Sequence, residues 1–181
     1  MSERDALPVR ASVFVGVSLD GFLARRDGSF DFLPTEGVED HGYDEFFASV
    51  DAMVMGRKTY ETALGFPEWP YGAKPVVVLS HRALAPAPAG ALVELLSGEP
   101  RAVVDTLSRR GFRHLYVDGG ETIQRFLAAG CIDRLVVTRV PVLIGEGISL
   151  FGPLPGDLRL RHLATRAFAS GLVQSEYEIL D

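Results

Sequence analysis

The chain has one cysteine, Cys131, among its 181 residues, so no intramolecular disulfide can form and nothing in it requires an oxidising compartment. Long apolar runs are also missing. Stretches such as Val76-Val77-Val78-Leu79 fall far short of the roughly 20 residues that cross a bilayer, and no membrane partner is expected. The opening segment, MSERDALPVR, contains no apolar h-region, so no cleavable signal is expected. We read residues 1–11 as a flexible tail and cytoplasmic residence as the default. Basic residues are the minority, with 18 Lys and Arg against 24 Asp and Glu and a formal net charge of -6. That balance opposes the electrostatic attraction behind most nucleic-acid binding, and no nucleic-acid partner is expected.

Several catalytic signatures are absent as well. There is no G-x-G-x-x-G dinucleotide fingerprint and no G-x-x-x-x-G-K-[ST] phosphate loop, which disfavours a Rossmann dehydrogenase or an ATPase. No G-x-S-x-G nucleophile elbow occurs. The histidines, His41, His81, His114 and His162, lack metal-ligand spacing, so no metal is expected.

What is present is an alternation of strand and helix signals in a chain that is 47% hydrophobic, enough for one compact domain over residues 12–181. Residues 12–19 (SVFVGVSL) form a Val- and Phe-rich strand that stops at the Asp20-Gly21 turn. Tyr43, Phe46, Phe47 and Val50 recur at spacings of three and four, which predicts a helix over 38–50. A buried strand at 52–55, a helix from Arg57 or Thr59 to Gly65 and a continuous apolar strand at 75–80 follow.

Beyond a Pro- and Ala-rich connection come a short strand at 91–95 and a helix at 100–110 with proline in its first turn. Then a strand at 114–117, a helix at 121–129 closed by Gly130 and a strand at 132–140 are predicted. At the C-terminus, segments 158–169 and 173–180 flank a Ser170-Gly171 turn. Val173, Ser175, Tyr177 and Ile179 share one face and Gln174, Glu176 and Glu178 the other, the period-two pattern of a half-exposed antiparallel hairpin. The fold class expected is α/β, with a mixed, mostly parallel sheet and an antiparallel edge.

Two strand-to-helix junctions carry candidate chemistry. At Met55-Gly56-Arg57-Lys58-Thr59, glycine permits close backbone approach, the helix start offers unpaired N–H groups, and two side chains add full positive charges. At Tyr116-Val117-Asp118-Gly119-Gly120-Glu121-Thr122, two glycines again separate a strand from a helix. Either junction alone is as readily an ordinary turn, whereas the pair suits the phosphates of a dinucleotide.

These residues, in order, resemble dihydrofolate reductases. The match runs through Val15-Gly16-Val17-Ser18-Leu19-Asp20-Gly21-Phe22-Leu23-Ala24, the two junctions, Val78-Leu79-Ser80-His81-Arg82, and Leu143-Ile144-Gly145-Glu146-Gly147-Ile148-Ser149-Leu150-Phe151. The resemblance is closer to the reductase domain of the bacterial riboflavin-biosynthesis deaminase-reductase, which shares the S-L-D-G turn. It implies a three-layer α/β/α fold over residues 12–180 and NADPH as cofactor. Gly56, Arg57, Lys58 and Thr59 would then hold the pyrophosphate and 2′-phosphate, and Leu79, Ser80, His81 and Arg82 would flank the adenine and its ribose. Val117, Gly119, Gly120, Glu121 and Thr122 would complete the pyrophosphate contacts, with a cis peptide frequent between the two glycines. Gly16, Leu23 and Ala24 would line the nicotinamide, and a homodimer is implied.

The substrate end is less defined. The acidic residue that dihydrofolate reductases carry on their first helix has no secure counterpart among Asp40, Asp44 and Glu45, and Tyr43 is a candidate for that position. Arg25-Arg26 is either a phosphate group's partner or part of a solvated loop, and we favour the loop. The proton donor is Asp20, Tyr43, Asp44 or an ordered water. Phe47 and Trp69 are candidates for stacking on a planar substrate, with ordinary packing as their alternative. The leading functional expectation is an NADPH-dependent reductase of a small pterin-like or pyrimidine- or ribityl-like substrate. The alternatives are a dihydrofolate reductase proper and a non-catalytic nucleotide-binding or dimerising protein on the same fold.

Overall fold

The computed structural model describes residues 9–34 and 39–180. Six strands run parallel: β1 (Arg10–Ser18), β3 (Ala52–Gly56), β4 (Val76–Leu79), β5 (Val93–Leu96), β6 (His114–Asp118) and β7 (Arg134–Val140). With the antiparallel β9 (Leu160–Ala167) and β10 (Val173–Ile179) they form one sheet in the order β5-β4-β3-β6-β1-β7-β10-β9. The short strands β2 (Phe22–Ala24) and β8 (Ile148–Ser149) pair separately. Neither was expected, because two or three residues are too few to show a period.

Helices cover both faces. α1 (Tyr43–Ser49) and α2 (Arg57–Leu64) send Phe46, Tyr60 and Ala63 into a cluster with Met53, Met55, Val76 and Val78. On the opposite face α3 (Pro100–Arg109) and α4 (Gly120–Ala128) bury Val103, Leu107, Ile123 and Phe126 against Val13, Val54 and Leu115. Truncating one such side chain, as in Phe126→Ala, costs about 3–5 kcal/mol. The chain is therefore an α/β/α sandwich with a mixed sheet, the mixed sheet as the sequence pattern implied and the three layers as the resemblance implied.

Local chemistry sets the helix ends. α3 starts on Pro100, whose missing N–H is no loss in the first turn. α4 ends where Gly130 takes φ +63° while the Cys131 and Gly130 N–H groups bond Phe126 and Leu127 carbonyls. α1 is shorter than its apolar stripe suggested: it starts at Tyr43, and residues 35–38 lie outside the described ones. Lys74 Nζ donates to the Phe47 and Val50 carbonyls and so caps its C-terminal end.

Three expectations need correction. β1 begins at Arg10, and Ala11 is 1% exposed with its N–H bonded to Asp133, so strand pairing takes in the last residues assigned to the tail. The hairpin faces also differ: Val173 is exposed while Gln174 is buried. β10 is an interior strand, paired to β7 and β9, and the Gln174 amide donates to Thr138 Oγ1 and the His41 carbonyl, so its polar face is internally satisfied. Finally, the Gly119–Gly120 peptide is trans.

Candidate functional site

β3 and β6 lie side by side, with Met55 opposite Asp118, so Gly56 and Gly119 follow in adjacent positions at the carboxyl ends of the sheet. The helices that follow them leave on opposite faces, α2 toward the Tyr60 cluster and α4 toward the Phe126 cluster. A crevice must open where the helices part, the usual ligand position in open α/β sheets.

The two junctions interlock there. A Cβ on Gly119 would overlap Thr59 Oγ1, and a Cβ on Gly56 would lie 3.0 Å from Thr122 Oγ1. Gly119 has φ +95°, which side-chain-bearing residues rarely adopt. Neither helix has a side-chain cap at its start, so the first N–H groups of α2 and α4 converge without a built-in acceptor. A cavity of about 430 Å³ opens over them, reaching Leu79, Ser80, His81 and Arg82 after β4. Its wall has four cationic side chains, Arg57, Lys58, Arg82 and Arg125, against one carboxylate, Glu121. Converging N–H groups, Cβ-free backbone and surplus positive charge fit a dinucleotide with an extra phosphate. Arg57 is already paired with Glu61 at 2.5 Å, so a phosphate would compete with that carboxylate.

A second cavity of about 720 Å³ is continuous with the first, sharing Lys58, Thr59, Gly119, Gly120 and Ile148. Gly16, Leu23 and Ala24 line it, with Phe14, Phe30, Leu33 and Tyr116 adding apolar wall. The β2–β8 pair roofs the boundary: a Cβ on Gly120 would lie 2.8 Å from Ile148 and 3.3 Å from Leu23. Asp118 closes the cavity at the end of β6, its Oδ1 accepting the Gly119 N–H at 2.8 Å. Burial pushes its carboxyl above the ordinary range, partly offset by that hydrogen bond.

The profile of the RibD C-terminal domain matches residues 11–174. This chain belongs to the RibD C-terminal domain family. The uncharacterized protein YwjB of Bacillus subtilis (strain 168), similar to this member, is 33% identical over 168 residues, or 91% of this chain and 95% of that one. A crystal structure from Shewanella sp. PV-4, named for riboflavin biosynthesis, gives a TM-score of 0.86 at 36% identity and covers 96% of this chain and 100% of that one. Dihydrofolate reductase from Enterococcus faecalis, solved with NADP(H), shares the fold at a TM-score of 0.65 and 16% identity, covering 97% and 99%.

In this family member, twelve residues singled out as cofactor contacts line the first cavity: the 56–59 and 79–82 segments, Gly119, Gly120, Glu121 and Thr122. Gly16, Leu23 and Ala24 line the second. Val117 lines neither, because its position on β6 turns its fully buried side chain into the core.

The substrate-end candidates are placed elsewhere. Asp20 accepts the Ile144 and Gly145 N–H groups at 3.2 and 2.8 Å and so fastens the turn after β1 to the 144–147 loop. Asp44 is exposed on the first turn of α1. Tyr43 is wedged between Phe14 and Phe47, and burial, followed by the charges of Asp118 and Asp44, pushes its phenol up to about 12. Phe47 stacks on Tyr43 beneath Lys74, and Trp69 packs edge-on against Tyr60 and Tyr71. All five lie outside both cavity walls.

Sequence reasoning named Asp118 within the second junction without giving it a role, and passed over Arg125, Phe30 and Leu33. Asp118 had a usable signal, a carboxylate at the last position of a central strand where ligands gather. Phe30 and Leu33 reach the cavity from irregular backbone, which has no period to read.

Proposed function

We propose that this protein is an NADPH-dependent reductase that passes hydride to a small organic substrate with a planar ring. The observation that carries the reading is a single cleft with a cationic end over two uncapped helix starts and an apolar end closed by Asp118. Arg57, Lys58 and Arg82 would hold the phosphates that distinguish NADPH from NADH, with the 119–122 turn supporting the pyrophosphate. Gly16, Leu23 and Ala24 would bound the nicotinamide.

When bound, the cofactor supplies the hydride, and the protein's contribution is orientation and exclusion of water. Phe14, Phe30 and Leu33 provide the dry wall. Asp118 offers a carboxyl whose raised affinity for protons suits holding one beside the substrate.

The proposal extends to a cytoplasmic homodimer. Its support is the outer strand β9, exposed along all eight residues, since open edges of that length are normally covered. Gel filtration at the monomer mass of 19.7 kDa would remove the dimer from the reading.

The reductase reading is tested by titrating the protein with NADPH and with NADH and following nicotinamide fluorescence. Micromolar NADPH binding with weaker NADH binding is expected. Binding of neither at millimolar concentration would overturn it.

A further inference from the structure

The roof over the boundary of the two cavities is thin. β8 consists of Ile148 and Ser149 alone, paired with Ala24 and Phe22 of β2. Two strands of that length hold weakly without further support. Yet Ile148 lines both cavities, and Leu23 and Ala24 line the wider one, so the placement of this pair shapes the wall proposed for the nicotinamide.

Gln124 supplies the support. It stands on α4, one turn beyond Gly120 and on the same face of the helix. Its Nε2 donates to the Ser149 carbonyl at 2.7 Å. That carbonyl oxygen would lie 3.4 Å from a Cβ on Gly120, so it sits over the start of the helix as it meets the amide. On the other side of the amide, a Cβ on Gly152 would lie 2.5 Å from Gln124 Oε1 and 2.8 Å from its Cδ. The φ of Gly152 is not positive, so the nearness of Gln124, rather than backbone conformation, calls for glycine there. The chain over residues 149–152 is thus closed around one side-chain amide.

The other ties of this segment lead elsewhere. The Leu150 N–H bonds the Gly21 carbonyl, and Asp20 accepts the Ile144 and Gly145 N–H groups, so both fasten the segment to the turn after β1. Among the described residues, no other helix side chain hydrogen-bonds to residues 141–155. Only Gln124 links the roof to the helix whose first residues, Gly120, Glu121 and Thr122, line the cationic cavity.

Resting on the reductase reading of this cleft, we propose that Gln124 is a positioning residue that holds the β2–β8 roof over the nicotinamide half of the cofactor. α4 then sets both halves of the site, the phosphate half through its start and the nicotinamide half through Gln124.

The test compares the full chain with Gln124→Met, which keeps the side chain's length and loses the donor, and with Gly152→Ala, which crowds the same amide from its other side. Each protein is titrated with NADP+ and with adenosine 2′,5′-bisphosphate, which has the phosphates of the adenosine half and no nicotinamide. In both variants NADP+ should bind about fivefold or more weakly, as expected for the loss of a partly buried hydrogen bond. The bisphosphate should stay within about twofold of its affinity for the unaltered protein, because its contacts are independent of the roof. The fluorescence of bound NADPH should also drop, since a loosened roof admits water to the nicotinamide. A general loss of stability would weaken both ligands alike and would not produce this split. Gln124→Met decides the matter alone if Gly152→Ala does not fold. The proposal is overturned if NADP+ and the bisphosphate weaken together, or if neither changes. Failure of the unaltered protein to bind either ligand at millimolar concentration would overturn the reductase reading as well, so the two failures are told apart.

Discussion

Gly119 sits directly against Thr59, so close that a Cβ on the glycine would overlap the threonine Oγ1. Gly56 approaches Thr122 in the reciprocal way, which locks the starts of α2 and α4 together. Gly119→Ala meets both this contact and a φ of +95°. It should cost about 1–3 kcal/mol of stability and, by moving the N–H groups, about tenfold or more in NADPH affinity. Repeating Gly119→Ala in a Thr59→Ala background removes the overlap but leaves the backbone strain, so only part of the stability should return. Urea melts and cofactor titrations on the four proteins read this, and native stability in Gly119→Ala would contradict the interlock.

Asp118 is a group whose role in the cleft opposes stability. Burial raises its folded-state pKa above the ordinary 3.8, so the native state binds the proton more tightly than the unfolded chain. Its favourable contribution is present at low pH and lost as pH rises through the folded pKa. Asp118→Asn keeps an oxygen for the Gly119 N–H and removes the charge. At neutral pH we expect a gain of about 0.5–2 kcal/mol, shrinking on acidification, as measured by urea unfolding across pH. A loss of stability at neutral pH would show that the carboxylate is better satisfied than its surroundings indicate.

His114 gives the opposite pH dependence. Its Nε2 lies 2.7 Å from Ser12 Oγ and its Nδ1 3.1 Å from the Ser49 carbonyl, so the neutral ring donates from Nδ1 and accepts the serine hydroxyl at Nε2. Burial pushes its pKa below the ordinary 6.5, outweighing the Ser49 hydrogen bond. As pH falls through 6.5 the unfolded chain takes up the proton first, so stability declines on acidification. The urea midpoint should fall between about pH 8 and about pH 5.5, and His114→Gln should flatten that dependence. An unchanged profile in the variant would assign the effect to other groups.

Much of the layered fold was legible because each central strand, such as β3 or β4, is a continuous apolar run between turn signals, and each helix stripe has the right period. The cavity over the two helix starts was legible for a related reason: glycines and cations at strand-to-helix junctions sit next to one another in sequence. The wider cavity assembles Phe14, Phe30, Leu33, Tyr116 and Asp118 from separate segments, and no local spacing announces that convergence. A carboxylate in a conspicuous turn is equally suited to proton transfer and to binding backbone N–H groups, and Asp20 does the latter.

Asp20 is accordingly expected to act on loop order. Asp20→Ala removes the acceptor for the Ile144 and Gly145 N–H groups. Hydrogen exchange at those two amides should accelerate, while amides in the central strand β6 keep their protection. Unchanged exchange at Ile144 and Gly145 would mean that the loop is held by its other contacts, including Arg26 with Glu146.

The most direct test of the divided cleft is a crystal structure of the protein with NADP+ bound. The nucleotide's 2′-phosphate should contact Arg57, Lys58 or Arg82, its pyrophosphate should lie against the 119–122 turn, and its nicotinamide should face Gly16, Leu23 and Ala24. A nucleotide bound outside this cleft, or lying with its phosphates in the cavity that Asp118 closes, would contradict the division into a phosphate end and a substrate end.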